Sequence, residues 1–285
     1  LTTQNAGADA YNVAVGYNVG VSATTGVKNT LIGGFAGSFL STGDSNSFIG
    51  YNAGLGITGA KLTGDDNTAI GRNTGALLQG AANSNTLMGS YAGDALTTGS
   101  NNVAVGFESL STEDAHGNNI AIGNRALKTL NAGAAGLNVA IGDDAGLAMT
   151  SGINNTLIGG LAGDALEDAD ANVAIGKGAL TTDRLGSYSV AVGFAALEAQ
   201  IFTSATNTYN TAVGAGAGAA VTSGIQNTLI GGLAGDALTG GGFSGTTRQD
   251  GGDYNTVVGQ DALHVDTLGS RSIAIGRRSL YAQNF

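Results

Sequence analysis

Two histidines, one serine in a glycine-rich stretch and several aspartate clusters are the residues of this sequence whose types could do chemistry. A histidine works as a general base when a second polar side chain orients it and a nucleophile or substrate lies within hydrogen-bond reach. His116 and His264 fall in loop positions, without a pattern of Asp or Ser partners around them, and are expected to be solvent-exposed. Gly241-Gly242-Phe243-Ser244-Gly245 approaches a nucleophile elbow, but Gly-x-Ser-x-Gly requires glycine at 246, where the chain has Thr246. The clusters Asp65-Asp66, Asp143-Asp144 and Glu167-Asp168-Ala169-Asp170 lack the alternating oxygen ligands of a calcium loop and read as solvated like-charge groups. Glycine runs such as Gly214-Ala215-Gly216-Ala217-Gly218 precede no amphipathic helix, so they do not form a phosphate cradle. The expectation is therefore no catalytic residue, no metal, no cofactor and no enzymatic activity.

Composition narrows the partners. The net charge is −10, from 21 acidic against 11 basic residues. No Lys/Arg stripe is available to displace counterions from a phosphate backbone, which disfavours nucleic acid. No apolar run approaches the roughly 20 residues of a membrane-spanning helix, so no membrane insertion is expected. Cysteine and proline are absent while glycine occurs 50 times, which removes disulfides and points to repeated tight turns.

Those turns belong to a repeat. The pattern Asn-x-apolar-aliphatic-Gly recurs with its glycines at 16, 33, 50, 71, 89, 106, 123, 142, 159, 176, 193, 214, 231, 259 and 276. Nine of the fourteen intervals are 17 residues and the others are longer, as when a fixed coil carries loop insertions. The fold class expected is all-β, a parallel β-solenoid of about fifteen 17-residue coils filling residues 1–285 as one repeat domain. Repeats begin within a dozen residues of Leu1 and run nearly to Phe285, so the chain is expected to be a piece of a longer fibre chain.

Within the motif, β-branched residues alternate with small ones, as in Val13-Ala14-Val15 and Ile120-Ala121-Ile122. That period of two predicts a strand, and both faces are so apolar or small that burial on both sides is expected. Asn opens the motif in thirteen coils and Ser in two, Ser189 and Ser272. Stacking is expected to align the amides into a ladder, each side chain bonded to its neighbours above and below. Four residues after the motif glycine stands Gly in some coils and Leu in others. Where it is Gly, a large residue usually follows three places later, as Leu40, Leu78, Leu96, Met149 and Leu166 do, which predicts interlocking layers.

The runs Asn119 to Ala126 and Asn172 to Ala179, of the form Asn-Val/Ile-Ala-Ile-Gly with Ala three residues after the glycine, resemble the head repeat of YadA-like trimeric autotransporter adhesins. Similar repeats occur in phage tail fibre proteins. The resemblance covers essentially the whole chain, with a coil of 17 residues where the autotransporter head has about fourteen. It implies a left-handed parallel β-roll, a side-by-side homotrimer, an extracellular location on a virion or bacterial surface, and adhesion to a host-surface receptor or glycan. The alternative is a single-chain hexapeptide-type left-handed β-helix acyltransferase, whose unit matches Ile122-Gly123-Asn124-Arg125-Ala126-Leu127 once per coil rather than three times. Recognition is expected in the insertion loops near 57–66, 200–209 and 240–254, with Phe243, Arg248 and Tyr254 as candidate surface contacts.

Overall fold

The computed structural model describes residues 3–7, 9–244, 247–248 and 251–283, with the side chains of residues 243, 244, 247 and 248 outside that description. The described residues contain no helix, and the chain is a parallel β-solenoid of about fifteen turns. It divides into two compact units, Leu1–Asn138 and Val139–Phe285.

The first unit stacks seven three-residue strands, from Val13–Val15 through Thr30–Ile32 to Ile120–Ile122. The second stacks eight, from Val139–Ile141 to Ile273–Ile275, and adds two short pairs at its insertions. Within each unit equivalent residues of successive coils face each other: Val13 opposite Thr30, Ala14 opposite Leu31, Val15 opposite Ile32. Thr30 donates its backbone N–H to the Asn46 carbonyl at 2.8 Å, and Gly33 donates to the Val15 carbonyl at 2.8 Å, which sets each coil one strand spacing from the next.

So short a strand must be followed by an abrupt corner, and the corner is built from left-handed backbone. The motif glycine has φ between 113° and 145° in all fifteen coils. A Cβ on Gly33 would stand 2.4 Å from the carbonyl oxygen of Gly50, so close approach as well as φ demands glycine. Two residues on, a second left-handed residue is usually not glycine: Asn18, Phe35, Tyr91 and Leu161 have φ of 52°, 61°, 60° and 58°. Their side chains point out of the coil, so no steric demand selects one residue type.

The third left-handed position is the one that alternates between Gly and Leu. Leu110, Leu127, Leu180, Leu197 and Leu263 hold φ of 49–54° there and are completely buried or nearly so. The left-handed conformation costs about 1–2 kcal/mol. Burial of a leucine returns about 1.5–3 kcal/mol, so burial wins. Where the position is glycine, its space is already filled. A Cβ on Gly163 would lie 2.8 Å from both Leu157 and Leu166, and one on Gly54 would lie 2.5 Å from the Phe48 ring. The interlocking layers expected from the Gly/Leu alternation are thus formed.

Two expectations are refined. Within the single chain the strand is buried on one side: its central residue is buried, as Leu31, Ala121 and Ala174 are, whereas the flanking β-branched residues point outward and stay partly exposed, so burial of the second side would need a partner. The two faces were indistinguishable by apolarity, and side-chain size separates them. The narrow interior admits Ala, Leu, Phe and Val from the middle of the strand. The asparagines, in turn, bond mainly to backbone. Asn29 Oδ1 accepts the N–H of Asn46 at 2.8 Å, and Asn29 Nδ2 donates to the Gly43 carbonyl at 2.8 Å within its own coil. Direct amide-to-amide bonds occur at some steps, such as Asn85 Nδ2 to Asn67 Oδ1 at 2.9 Å.

Candidate interaction surface

The strand motif fixes the most extensive surface feature. Each coil points the residue before its motif glycine outward, and parallel in-register stacking lines these residues up. In the first unit Ile32, Ile49, Met88 and Ile122 keep 36–44% of their surface. In the second, Ile141, Ile175, Val213 and Ile230 keep 36–39%. Beside them runs the other outward strand position, occupied by Thr30, Val103, Thr156 and Val173 among others, all partly exposed. The result in each unit is a continuous aliphatic strip along the strand face, of the kind that marks a contact surface.

The strip is flanked at both strand ends by side chains of the adjoining corners. Before the motif Asn stand Tyr11, Tyr188, Tyr209 and Tyr254, all exposed. After the motif glycine the first unit carries aromatic rings packed edge to face: Tyr17 with Phe35 at 5.4 Å, Phe35 with Tyr51 at 5.9 Å, and Tyr91 with Phe107 at 6.4 Å. Arg72 lies over the Tyr91 ring, 4.9 Å from its centroid. In the second unit the same flank hollows out into a trough of about 550 Å³, lined by Phe194, Ala215, Gly216, Gly232, Leu233 and Gln260 among others.

The histidines are not the free loop side chains expected. His264 Nδ1 lies 2.6 Å from Asp236 Oδ1, and its ring stacks on Tyr281 at 4.9 Å. Asp236 and His264 stand five residues after the motif glycines of successive coils, so stacking pairs residues 28 apart in sequence. Burial raises the Asp236 pKa, opposed by the hydrogen bond from His264. His116 Nδ1 lies 3.2 Å from Glu113 Oε1.

With Asp114, these two residues bring two carboxylates and an imidazole within 4.8 Å of one another, a set that could ligate a divalent cation. Glu113 is nevertheless already employed. Its Oε1 accepts the N–H of His116 at 3.0 Å and its Oε2 that of Ala132 at 3.2 Å. Buried Asp183 and Asp266 hold the same coil position and accept the N–H groups of Gly186 and Gly269 without any histidine. A corner clasp accounts for all three acids.

Sequence reasoning missed these buried acids, although a signal exists. Where the alternating corner position is Leu, the residue three places later becomes Glu113, Asp183, Gln200 or Asp266, with Leu130 the exception. In the second unit this builds a fully buried network at a coil where Ser189 replaces the motif Asn. Gln200 Nε2 donates to Asp183 Oδ2 at 2.6 Å and to Ser189 Oγ at 2.8 Å, and Gln200 Oε1 accepts from Asn210 Nδ2 at 2.8 Å. Burial raises the Asp183 pKa.

The aspartate clusters divide as well. Asp65 Oδ1 accepts the N–H of Asp44 at 2.7 Å and Asp170 Oδ1 that of Ile153 at 2.8 Å. They form a second side-chain ladder, so these two are acceptors in the stack rather than members of a free acidic patch.

The three insertions are only partly surface loops. The one near 57–66 sends Leu62 into the core, bridging Leu40 and Gly80, and that near 200–209 buries Gln200 and Phe202. In the third, Phe243–Ser244 pairs antiparallel with Thr247–Arg248, Phe243 opposite Arg248, whose side chains lie outside the described residues. Tyr254 stands apart from that hairpin, directly before Asn255, with the Arg271 guanidinium 5.3 Å over its ring. No helix among the described residues is long and apolar enough to cross a membrane. No family model matches the sequence, and no curated protein is significantly similar to it.

Proposed function

We propose that this chain is a structural segment of a homotrimeric extracellular fibre, a stiff shaft of the kind used in phage tail fibres and bacterial surface adhesins, rather than an enzyme. The observation that carries this reading is the aliphatic strip. A chain working alone would leave a row of Ile, Val and Met half in water on the most regular face of its solenoid. Side-by-side packing of identical chains about an axis along the coils would cover that row coil by coil, since a rotation keeps every coil level with itself. Resemblance of the coil motif to YadA-like head repeats supports three copies. Contact with a host-surface receptor or glycan falls to the loops and corner side chains, where the coils differ from one another. The net charge of −10 argues against nucleic acid as the partner.

Light scattering on the purified chain tests the assembly. A mass three times that of the 27.8 kDa chain is expected, and a well-folded monomer would overturn the proposal. The double variant Ile122→Asp, Ile175→Asp places charges on the outward face without touching the interior. It is expected to retain the β-sheet signature and to lose the trimer.

A further inference from the structure

The two ends of the strand differ in bulk at two neighbouring coils of the second unit. In the second unit the residue after the motif glycine shrinks to Ala215 and then Gly232, and the next residue to Gly216. Elsewhere the first of these positions holds Tyr17, Phe107, Arg72 or Lys177, so the coil itself has room for bulk there. The shrinkage opens the trough between Phe194 and Gln260. Its volume of about 550 Å³ lies in the range that encloses a ligand-sized group.

At the opposite end of the same strands stand Tyr188 and Tyr209, directly before the motif Ser189 and Asn210. Their left-handed backbones, φ 63° and 50°, direct both rings outward. The rings stack 5.4 Å apart at 21°, with 45% and 52% of each residue exposed. Tyr209 and Ala215 belong to one coil, as do Tyr188 and Phe194.

A cyclic assembly about an axis along the coils has heterologous contacts, in which one flank of each copy meets the other flank of the next at the same level. We infer that Tyr209 of one copy seats in the trough floored by Ala215 and Gly216 of its neighbour, with the stacked Tyr188 against Phe194 at the trough's edge, and that this contact keys the axial register of the fibre. This inference rests on the side-by-side assembly proposed above.

A coil of the first unit supports the same pairing with charge. Asp66 occupies the flank before the motif Asn and Arg72 the flank after the motif glycine, so the same arrangement sets a carboxylate against a guanidinium. The matching is confined to particular coils: Arg271 and Arg277 put like charges on the two flanks of theirs. Specific matching at a few levels is what fixes register, because the aliphatic strip alone repeats in every coil and would tolerate a one-coil slip.

The chain has no cysteine, so the inference can be tested by directed cross-linking. In the full chain carrying Tyr209→Cys and Ala215→Cys, mild oxidation is expected to give covalently joined copies on a non-reducing gel, and neither single variant is expected to do so. Ala215→Trp, with bulk that other coils hold at this position, is expected to keep the circular dichroism spectrum and weaken assembly at least tenfold by sedimentation. Wild-type trimers combined with an uncrosslinked double variant and a fully assembling Trp variant would overturn the register key and leave the trimer standing. A monomeric wild-type chain would overturn both.

Discussion

Asn46 donates its backbone N–H to the side-chain oxygen of Asn29 at 2.8 Å, and the same relationship links Asn102 to Asn85, Asn172 to Asn155 and Asn255 to Asn227. Because the amide nitrogen of most of these Asn residues also binds a carbonyl of its own coil, one side chain closes its coil and holds the next. Asn172→Ala would strand the Gly186 carbonyl and the Ser189 N–H, bonded to Asn172 at 3.0 and 2.8 Å in a fully buried site. Each stranded group costs about 1–3 kcal/mol. A loss near 3 kcal/mol is expected in urea denaturation, with hydrogen exchange fastest at the coils around residue 172. A loss below about 1 kcal/mol would contradict the ladder's role.

Gly106→Ala tests the close approach of the motif glycines. The added Cβ would meet the Gly123 carbonyl oxygen at 2.2 Å, which neither backbone can relieve without separating the coils. Gly232→Ala adds the same atom where its nearest neighbour is the Ala215 carbonyl oxygen at 3.9 Å. The first variant is expected to unfold or to be recovered insoluble and the second to melt within a few degrees of wild type. Equal melting temperatures would remove the steric argument.

Gln200→Leu tests the buried network that replaces the missing Asn at Ser189. It would leave the Asp183 carboxylate and the Asn210 amide each short of a partner in a site closed to water. A destabilisation of about 2–4 kcal/mol is expected. Combining it with Asp183→Leu is expected to cost less than the sum of the two single changes, since the second removes the charge that the first strands. Strict additivity in the double-mutant cycle would show that the groups act independently.

Asp94 provides a pH test. Burial raises its pKa to about 6 and Oδ1 has no hydrogen-bond partner. The folded state therefore holds a proton that the unfolded chain releases near pH 4. Its contribution to stability is fully present below pH 4 and is lost as pH rises through 6. Asp94→Asn is expected to raise the melting temperature at pH 7.5 and to flatten its change between pH 4 and 7. An unchanged slope would show that Asp94 does not titrate in that window.

The coil, its period and its interlocking Gly/Leu layers were legible in the sequence because parallel in-register stacking turns spacing directly into neighbours. Gly163 and Leu166 pack as their alternation implied. The exposed side of the strand was not legible, because Ile-Ala-Ile is apolar throughout and only the size of the interior shows which residues turn inward. The roles of Asp183, Gln200 and Asp65 were hidden for a different reason. Each depends on where a polar group of an adjacent coil points, and residue type alone does not carry that direction. His264 illustrates the same limit, since its partner Asp236 is a neighbour only after the intervening insertion has been looped out.

The Asn ladder also has a sense of direction. In coils such as those opening with Asn29, Asn85 and Asn155 the side-chain oxygen receives the backbone N–H of the coil that follows it in sequence, while the amide nitrogen is satisfied fourteen residues later, inside the same turn. A coil leaving the ribosome therefore finds an acceptor already displayed by its predecessor and, once closed, displays one in turn. Such contacts are short in sequence and ordered from the amino-terminal side, an order that suits coil-by-coil winding of the solenoid as the chain emerges.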